Sequence, residues 1–171
     1  MKKLSPRRSM IKLQTVEKAD HVAQVKALFQ EYAETRKNDP ALENFHEEID
    51  SLPAKYAVPD GNLILAYSDG NLAGCVAVHK LADGICEMKR LYVSPRFRGR
   101  GIGRYLVEAI LKQAAMMGYS HLRLDSIPSM REAQELYQSI GFYEIPAYRH
   151  NPNEGTKYYE IDLNNKSMNL T

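Results

Sequence analysis

The sequence predicts an α/β fold of the α+β-like kind, in which a mixed, mostly antiparallel central sheet of six to seven strands carries helices on both faces. Hairpin signals at residues 68–71 and 82–84 join strands in the first half of the chain. Apolar stripes of helical period lie before and after these strands. With 171 residues the chain can bury one core, which we expect within residues 10–165, between a flexible basic tail (1–9) and a polar tail (166–171).

The first half of the chain begins with a strand at residues 10–16, where apolar and polar side chains alternate. Asp20 favours the start of a helix that continues to about Arg36, because its apolar residues recur every three or four positions. Residues 41–52 predict a shorter helix between two prolines. Three strands follow, and we expect them at residues 62–67, 72–80 and 85–93.

The second half of the chain alternates helices and strands. Residues 102–117 predict a helix that follows a glycine-rich loop and ends at Gly118. Ser129 and Glu132 have the spacing of a capping box and predict the start of the next helix. The remaining strands are expected at residues 119–125, 142–145 and 157–163, the last two antiparallel to each other.

The turn at residues 82–84 sets the register of the two strands that it joins. If this turn pairs Leu81 with Ile85, then His79 lies across from Glu87. In that register Cys75 and Cys86 face different partners and cannot form a disulfide bond. Both cysteines lie in apolar runs, which favours two reduced thiols in the core of a cytoplasmic protein.

Composition excludes several classes of protein. The 23 basic and 21 acidic residues give a net charge of +2, which is too balanced for a general nucleic-acid binder. No stretch is apolar for long enough to span a membrane, and no apolar segment of a signal peptide follows the basic N-terminus. We therefore expect a cytoplasmic protein with no nucleic-acid partner, no membrane partner and no metal.

The glycine-rich loop at residues 98–104 is the strongest functional signal. Gly99, Gly101 and Gly103 remove the Cβ atoms that would keep a ligand from the backbone, and the helix that follows adds the positive end of its dipole. Arginines at positions 96, 98, 100 and 104 add positive charge, which suits phosphate oxygens. The loop therefore predicts a phosphate-binding site.

At these residues the chain resembles the GNAT superfamily of acetyl-CoA-dependent N-acetyltransferases. The resemblance rests on Arg98-x-x-Gly101-x-Gly103 beyond a strand that ends Leu91-Tyr92-Val93, and on a second match at residues 133–142. It implies the GNAT fold, acetyl-CoA as cosubstrate and a pantetheine arm bound by the backbone of Leu91 and Val93. The cofactor-binding residues that it implies are Leu91, Tyr92, Val93, Arg98, Gly99, Arg100, Gly101, Ile102, Gly103 and Arg104.

Two catalytic residues are implied by the same resemblance. Tyr137, in Ala133-x-x-x-Tyr137-x-x-x-Gly141-Phe142, matches the family's proton donor to the departing coenzyme A thiolate. Its alternative role is a core tyrosine. Glu87 matches the general base of the histone-acetylating branch, and its alternative role is an ion pair with His79, or with Lys89 and Arg90.

The resemblance leaves the acceptor open. We expect a primary amine of a small molecule, attacked directly in a ternary complex, bound by the early helices and by the loop near Tyr148, Arg149 and His150. A protein lysine or N-terminus as acceptor, and a non-catalytic acyl-CoA sensor, are the alternatives.

Met130 stands where many members of the family carry a pantetheine-binding asparagine. A homodimer through a strand edge is possible.

Two further interpretations of the arginine and glycine cluster are weaker. Nucleic-acid binding would need aromatic residues for base stacking, and Phe97 is the only one near the cluster. A dinucleotide-binding fingerprint would need a third glycine where Arg104 stands, and a first glycine directly after the strand. The sequence therefore favours an acetyl-CoA site over both.

Overall fold

A computed structural model describes residues 7–164 of the chain. Residues 1–6 of the predicted basic tail and the whole predicted polar tail at 166–171 lie outside the described residues. None of the helices within 7–164 combines the length and apolar character that crossing a bilayer requires.

The elements follow the predicted order, with boundaries that shift by a few residues. The strands are β1 (Ile11–Thr15), β2 (Asn62–Ser68), β3 (Asn71–Ala82), β4 (Ile85–Val93), β5 (His121–Ser126), β6 (Tyr143–Ile145) and β7 (Lys157–Asp162). The α-helices are α1 (Ala19–Thr35), α2 (Phe45–Ser51), α3 (Ile102–Met116) and α4 (Arg131–Ile140).

Within the described chain, all these strands form one sheet in the order β1-β2-β3-β4-β5-β7-β6. Only the pairing of β4 with β5 is parallel, and each of the other neighbouring pairs is antiparallel. The predicted mixed, mostly antiparallel sheet is therefore confirmed. A parallel pair in the middle of the sheet is where strands with unequal twist can separate, and this pair borders the candidate site.

Helices cover both faces of the sheet, as predicted. Leu63 and Leu65 of β2 pack on one face with apolar residues of α1 and α2. Ile64 and Ala66 point to the opposite face and pack with α3 and α4. Because β2 is buried on both faces, its sequence is a continuous apolar run that does not alternate.

The predicted register of β3 and β4 is confirmed at His79 and Glu87, and it differs at the turn. Ala82, not Leu81, pairs with Ile85, and a bulge between Lys80 and Ala82 absorbs the difference. His79 still lies across from Glu87. Cys75 and Cys86 are free and buried, as predicted.

The predicted capping box at Ser129 does not form. Met130 occupies the N-cap position of α4, and its side chain accepts no hydrogen bond from the first N–H groups of the helix. The amide of Gln134 instead turns back to the loop before the helix, donating to Ser126 Oγ (3.2 Å) and to the carbonyl oxygen of Ile127 (3.0 Å). Side-chain bonding from inside the helix therefore fixes the β5–α4 connection, and this brings Ser126 and Met130 to the candidate site.

Candidate active site

The glycine-rich loop connects β4 to α3 through a short turn at Pro95–Phe97. Gly99 (φ 77°) and Gly101 (φ 79°) both adopt left-handed backbone conformations, which glycine accepts without a Cβ clash. The backbone N–H groups of residues 99–103 donate no hydrogen bond to any residue in the described range. Free N–H groups at a helix start form an anion-binding concavity, so the backbone here fits a diphosphate.

The arginine side chains of this loop are largely held by the protein itself. Arg98 Nε donates to the carbonyl oxygen of Val93 (3.1 Å), and Arg100 Nη1 donates to Ser68 Oγ (3.0 Å). Arg104 Nε donates to Glu108 Oε1 (2.9 Å) in the next turn of α3. Phosphate binding therefore falls chiefly on the backbone, while the arginines stiffen the loop and supply positive potential.

We expect Gly101→Ala to weaken coenzyme A binding by about tenfold, because an alanine at φ 79° costs about 1–2 kcal/mol and turns the N–H groups of this loop. Titration calorimetry with coenzyme A measures the change. Gly118→Ala is a matched control, since Gly118 has a similar φ of 93°, has open space around it and follows the C-terminal end of α3, the opposite end of the helix from this loop. Equal affinities for the two variants would contradict a diphosphate site at this loop.

Strands β4 and β5 separate beside this loop. Their pairing ends at Glu87 and Arg123, so the later residues of β4 have no partner in β5. Arg90 has a φ of 59°, and the pairing of β3 with β4 shifts register around it. Such a bulge bends a strand, and here it accompanies the separation from β5. Leu91 lies at the edge of the gap, whereas Tyr92 faces α1 and contacts the ring of Tyr32 at 5.8 Å.

A cavity of about 220 Å³ occupies the gap. Leu91 lines it from β4, Ser126 from β5, and Met130 and Tyr137 from α4. Met130 thus lies where the resemblance implies pantetheine, while the neighbouring Ser129 is exposed and outside the lining. Leu91 lies on the part of β4 that is not paired with β5, and Tyr137 faces the same cavity, as a pantetheine arm bound along β4 would require.

Tyr137 presents its side chain to this cavity from α4. Its ring is held by Phe142 (centroids 5.5 Å apart) and Tyr159 (6.3 Å), and the residue is 6% exposed. Its hydroxyl donates no hydrogen bond to a described residue. Burial raises the pKa of Tyr137 well above its usual value, so the phenol keeps its proton at neutral pH. The position of Tyr137 is therefore compatible with both predicted roles, that of proton donor and that of core residue.

Glu87 is fully buried next to the cavity, although it does not line it. Its carboxylate lies 2.9 Å from His79 Nε2 and accepts from the hydroxyl of Tyr148 (2.5 Å), and Arg149 Nη2 and Lys89 Nζ lie 3.1 Å and 3.8 Å away. Burial alone would raise its pKa, but the hydrogen bond from His79 and these cations together lower it to about 2. The carboxylate is therefore ionised at neutral pH and is a weak base.

The loop between β6 and β7 closes the far side of the cavity. Arg149, His150 and Asn151 line it, and Arg149 Nη2 (3.0 Å) and Asn151 Nδ2 (3.1 Å) both donate to Asp125 of β5. Asn153 Nδ2 reaches Asp39 Oδ1 (2.8 Å), beyond the end of α1. Polar contacts therefore tie this loop to the early helices, the two regions from which acceptor binding was predicted.

Helix α2 contributes no residue to the lining of the cavity, although the early helices were expected to bind the acceptor. His46 and Glu47 are exposed. Glu48 is bound by Arg90, whose Nε (2.7 Å) and Nη2 (3.3 Å) both donate to it.

Arg36 and Lys89 line the cavity but were not singled out from the sequence as site residues. For Lys89 a signal existed, since it lies two positions after Glu87 on a strand and so shares its face. Arg36 follows the last residue of α1, and only the path of the chain after that helix brings it to the cavity.

Comparisons with known proteins agree with this geometry. Residues 22–142 match the family described as the Acetyltransferase (GNAT) family. The chain is 35% identical to an uncharacterized N-acetyltransferase of Schizosaccharomyces pombe, over 91% of this chain and 96% of the relative. It is 33% identical over 107 residues to human N-acetylaspartate synthetase, covering 61% of this chain and 35% of that protein. A Salmonella typhimurium acetyltransferase structure with its cofactor acetyl-CoA superposes with a TM-score of 0.68, at 16% identity, covering 92% and 96% of the two chains.

Proposed function

The chain belongs to the GNAT family of acetyltransferases, and we propose that it transfers the acetyl group of acetyl-CoA directly to a primary amine of a small molecule. The observation that carries the proposal is the cavity in the gap between β4 and β5, which lies beside the unpaired end of the strand that leads into the phosphate-binding loop and has Tyr137 in its wall. The similarity to an enzyme named for an acetylated amino acid also favours a small acceptor.

Acetyl-CoA supplies an activated acyl group and a thiolate that can leave. In our proposal the N–H groups of residues 99–103 hold its diphosphate, with Arg98, Arg100, Ile102 and Arg104 shaping the loop. The backbone of Leu91 and Val93 holds the pantetheine arm along the open edge of β4, and Tyr92 anchors that strand against α1. These residues orient the thioester toward the acceptor.

The acceptor must lose a proton before it can attack, because a primary amine is protonated at neutral pH. We propose Glu87 as the base, acting through water since its carboxylate does not line the cavity. Because its pKa is about 2, the carboxylate does not retain the proton of the amine, which passes on through water to bulk solvent. As the C–S bond breaks, the Tyr137 hydroxyl donates its proton to the sulfur.

Direct transfer is favoured over a covalent enzyme intermediate. Burial raises the pKa of the Cys75 and Cys86 thiols to about 12, so neither forms a thiolate readily at neutral pH. Both cysteines also lie outside the lining of the cavity. Neither cysteine is therefore suited to accept the acetyl group from acetyl-CoA before the amine does.

Release of free thiol from acetyl-CoA across a panel of small amines tests the proposal. We expect release with at least one small amine, and intersecting initial-rate lines when both substrates are varied, as a ternary complex requires. Parallel lines would contradict direct transfer. Release only with peptides would favour a protein acceptor, and coenzyme A binding without release from any amine would favour a sensor.

A further inference from the structure

The charges around the acceptor end of the cavity are mostly positive. Four cationic side chains line the cavity, and Asp125 is the acidic residue of the lining in the part of the chain that the structure describes. The cationic residues are Arg36, Lys89, Arg90 and Arg149. They are separate from the phosphate-binding loop, since residues 98–104 are outside the lining. Coenzyme A phosphates therefore do not explain them.

Two of these cations each donate two hydrogen bonds to one carboxylate of the protein. Arg90 donates two hydrogen bonds to Glu48, and its guanidinium stacks over Phe45 at 4.5 Å from the ring centroid. Arg149 donates from Nε and Nη2 to Asp125. These two arginines mainly support the wall of the cavity, although their charge still acts on a ligand.

The other two cations have unused donors. Lys89 donates no hydrogen bond to a residue of the described range, and the carboxylate of Glu87 lies 3.8 Å from its Nζ. Its side chain is only 14% exposed, so few water molecules can reach the ammonium group to take the place of a hydrogen-bond acceptor. Arg36 donates to the Tyr32 hydroxyl and to Asp39, and its buried Nε has no partner among the described residues. Because that Nε is closed off from the cavity, Lys89 is the cation of the described lining whose unused donors an anion can reach.

The ionisation of Lys89 agrees with this view. Burial lowers its pKa to about 8, with Arg90 and Arg149 adding to the effect against the opposing charges of Glu87 and Asp125. The ammonium is therefore under-compensated in the protein alone. A ligand carboxylate at hydrogen-bond distance would restore the balance.

We propose that the acceptor amine carries a carboxylate, as an amino acid does, and that Lys89 binds this carboxylate with support from Arg36 and Arg149. This inference rests on the proposed function, because it names the acceptor of the same site. The cavity of about 220 Å³ is smaller than the roughly 300–1,000 Å³ of drug-sized pockets, which favours a compact acceptor. The carboxylate fixes the orientation of the molecule, so that its amine is presented to the thioester.

Titration calorimetry on the protein saturated with coenzyme A tests the inference. The probes are glycine against glycinamide, β-alanine against β-alaninamide, and aspartate against its diamide. The two compounds of each pair carry the same primary amine, and only the acid carries a carboxylate. We expect at least one acid to bind tenfold or more tightly than its amide. Lys89→Met should remove this preference, and Lys89→Arg should keep part of it.

Lys80→Met is the matched control, since Lys80 is an exposed lysine of β3 that pairs with Asp83 and lies outside the cavity. Coenzyme A affinity and circular dichroism show whether each variant is folded. The comparison of acids with amides in the unsubstituted protein stands without any variant.

Equal binding within every pair, or tighter binding of the amides, would overturn the inference even if thiol release shows that some amine is acetylated. Preferential binding of acids supports the inference even if no amine releases thiol. The absence of thiol release would contradict the proposed function, and the absence of a binding preference for acids would contradict the carboxylate site. The two failures are therefore distinguishable.

Discussion

Glu87→Gln is expected to lower the free energy of unfolding by about 3 kcal/mol at pH 7 and to lower turnover at least tenfold. The first effect follows from burial, because the carboxylate is fully buried beside Arg149 and Lys89. A neutral amide leaves these cations without their counter-charge. The second effect follows from the proposed role of Glu87 as the base that receives the proton of the amine.

The pH dependence of the free energy of unfolding shows how much of the contribution of Glu87 comes from its charge and how much from the size and shape of its side chain. The folded protein lowers its pKa from 4.5 to about 2, so its stabilisation is fully present above about pH 4.5 and is lost as the pH falls toward 2. We therefore expect the difference between the protein and Glu87→Gln in urea unfolding to be constant from pH 7 to 5. Below that range the difference should shrink. A difference that stays constant down to pH 3 would contradict a charged Glu87.

Glu160→Gln is the control for this variant. Glu160 also accepts hydrogen bonds from a tyrosine and an arginine, Tyr143 and Arg123, but it lies on β7 outside the cavity. We expect it to lose stability and keep its turnover. If Glu87→Gln likewise keeps its turnover, Glu87 is a structural ion pair and the base must be sought elsewhere.

The fold was predictable from the sequence because its signals are local. Hairpin turns at Asp69-Gly70 and Asp83-Gly84 and the apolar stripe of α3 each act within a few residues. The capping box at Ser129 did not form because α4 begins one residue later than the motif requires, with Met130 at the N-cap position. A helix boundary can shift by a residue, and the spacing of a cap motif is then lost.

The candidate site was only half predictable for a similar reason. The loop at residues 98–104 and Tyr137 belong to short motifs, which the sequence displays directly. The cations of the acceptor end come together only through the bulge at Arg90, the path of the chain after α1 and the return of the loop before β7. The bulged part of β4 contributes Lys89 and Arg90, and each of the other two segments contributes one arginine. A single charged residue in a polar context resembles any solvated surface residue.

Tyr137→Phe is expected to lower turnover at least tenfold while leaving acetyl-CoA affinity nearly unchanged. The substitution removes one oxygen atom and keeps the ring that packs on Phe142 and Tyr159. Only a step that uses the hydroxyl should suffer, and in our proposal this step is protonation of the departing thiolate. Initial rates of thiol release and titration calorimetry with acetyl-CoA measure the two quantities.

Tyr159→Phe provides the matched control, because Tyr159 is the neighbouring ring and its buried hydroxyl has no hydrogen-bond partner within residues 7–164. We expect that variant to keep full turnover. An acetyl thioester analogue whose thiol has a lower pKa adds a test of the chemistry, since a better leaving group needs less help from an acid. The deficit of Tyr137→Phe should then shrink. An equal deficit with both thioesters would assign Tyr137 to positioning, and unchanged turnover would remove it from the mechanism.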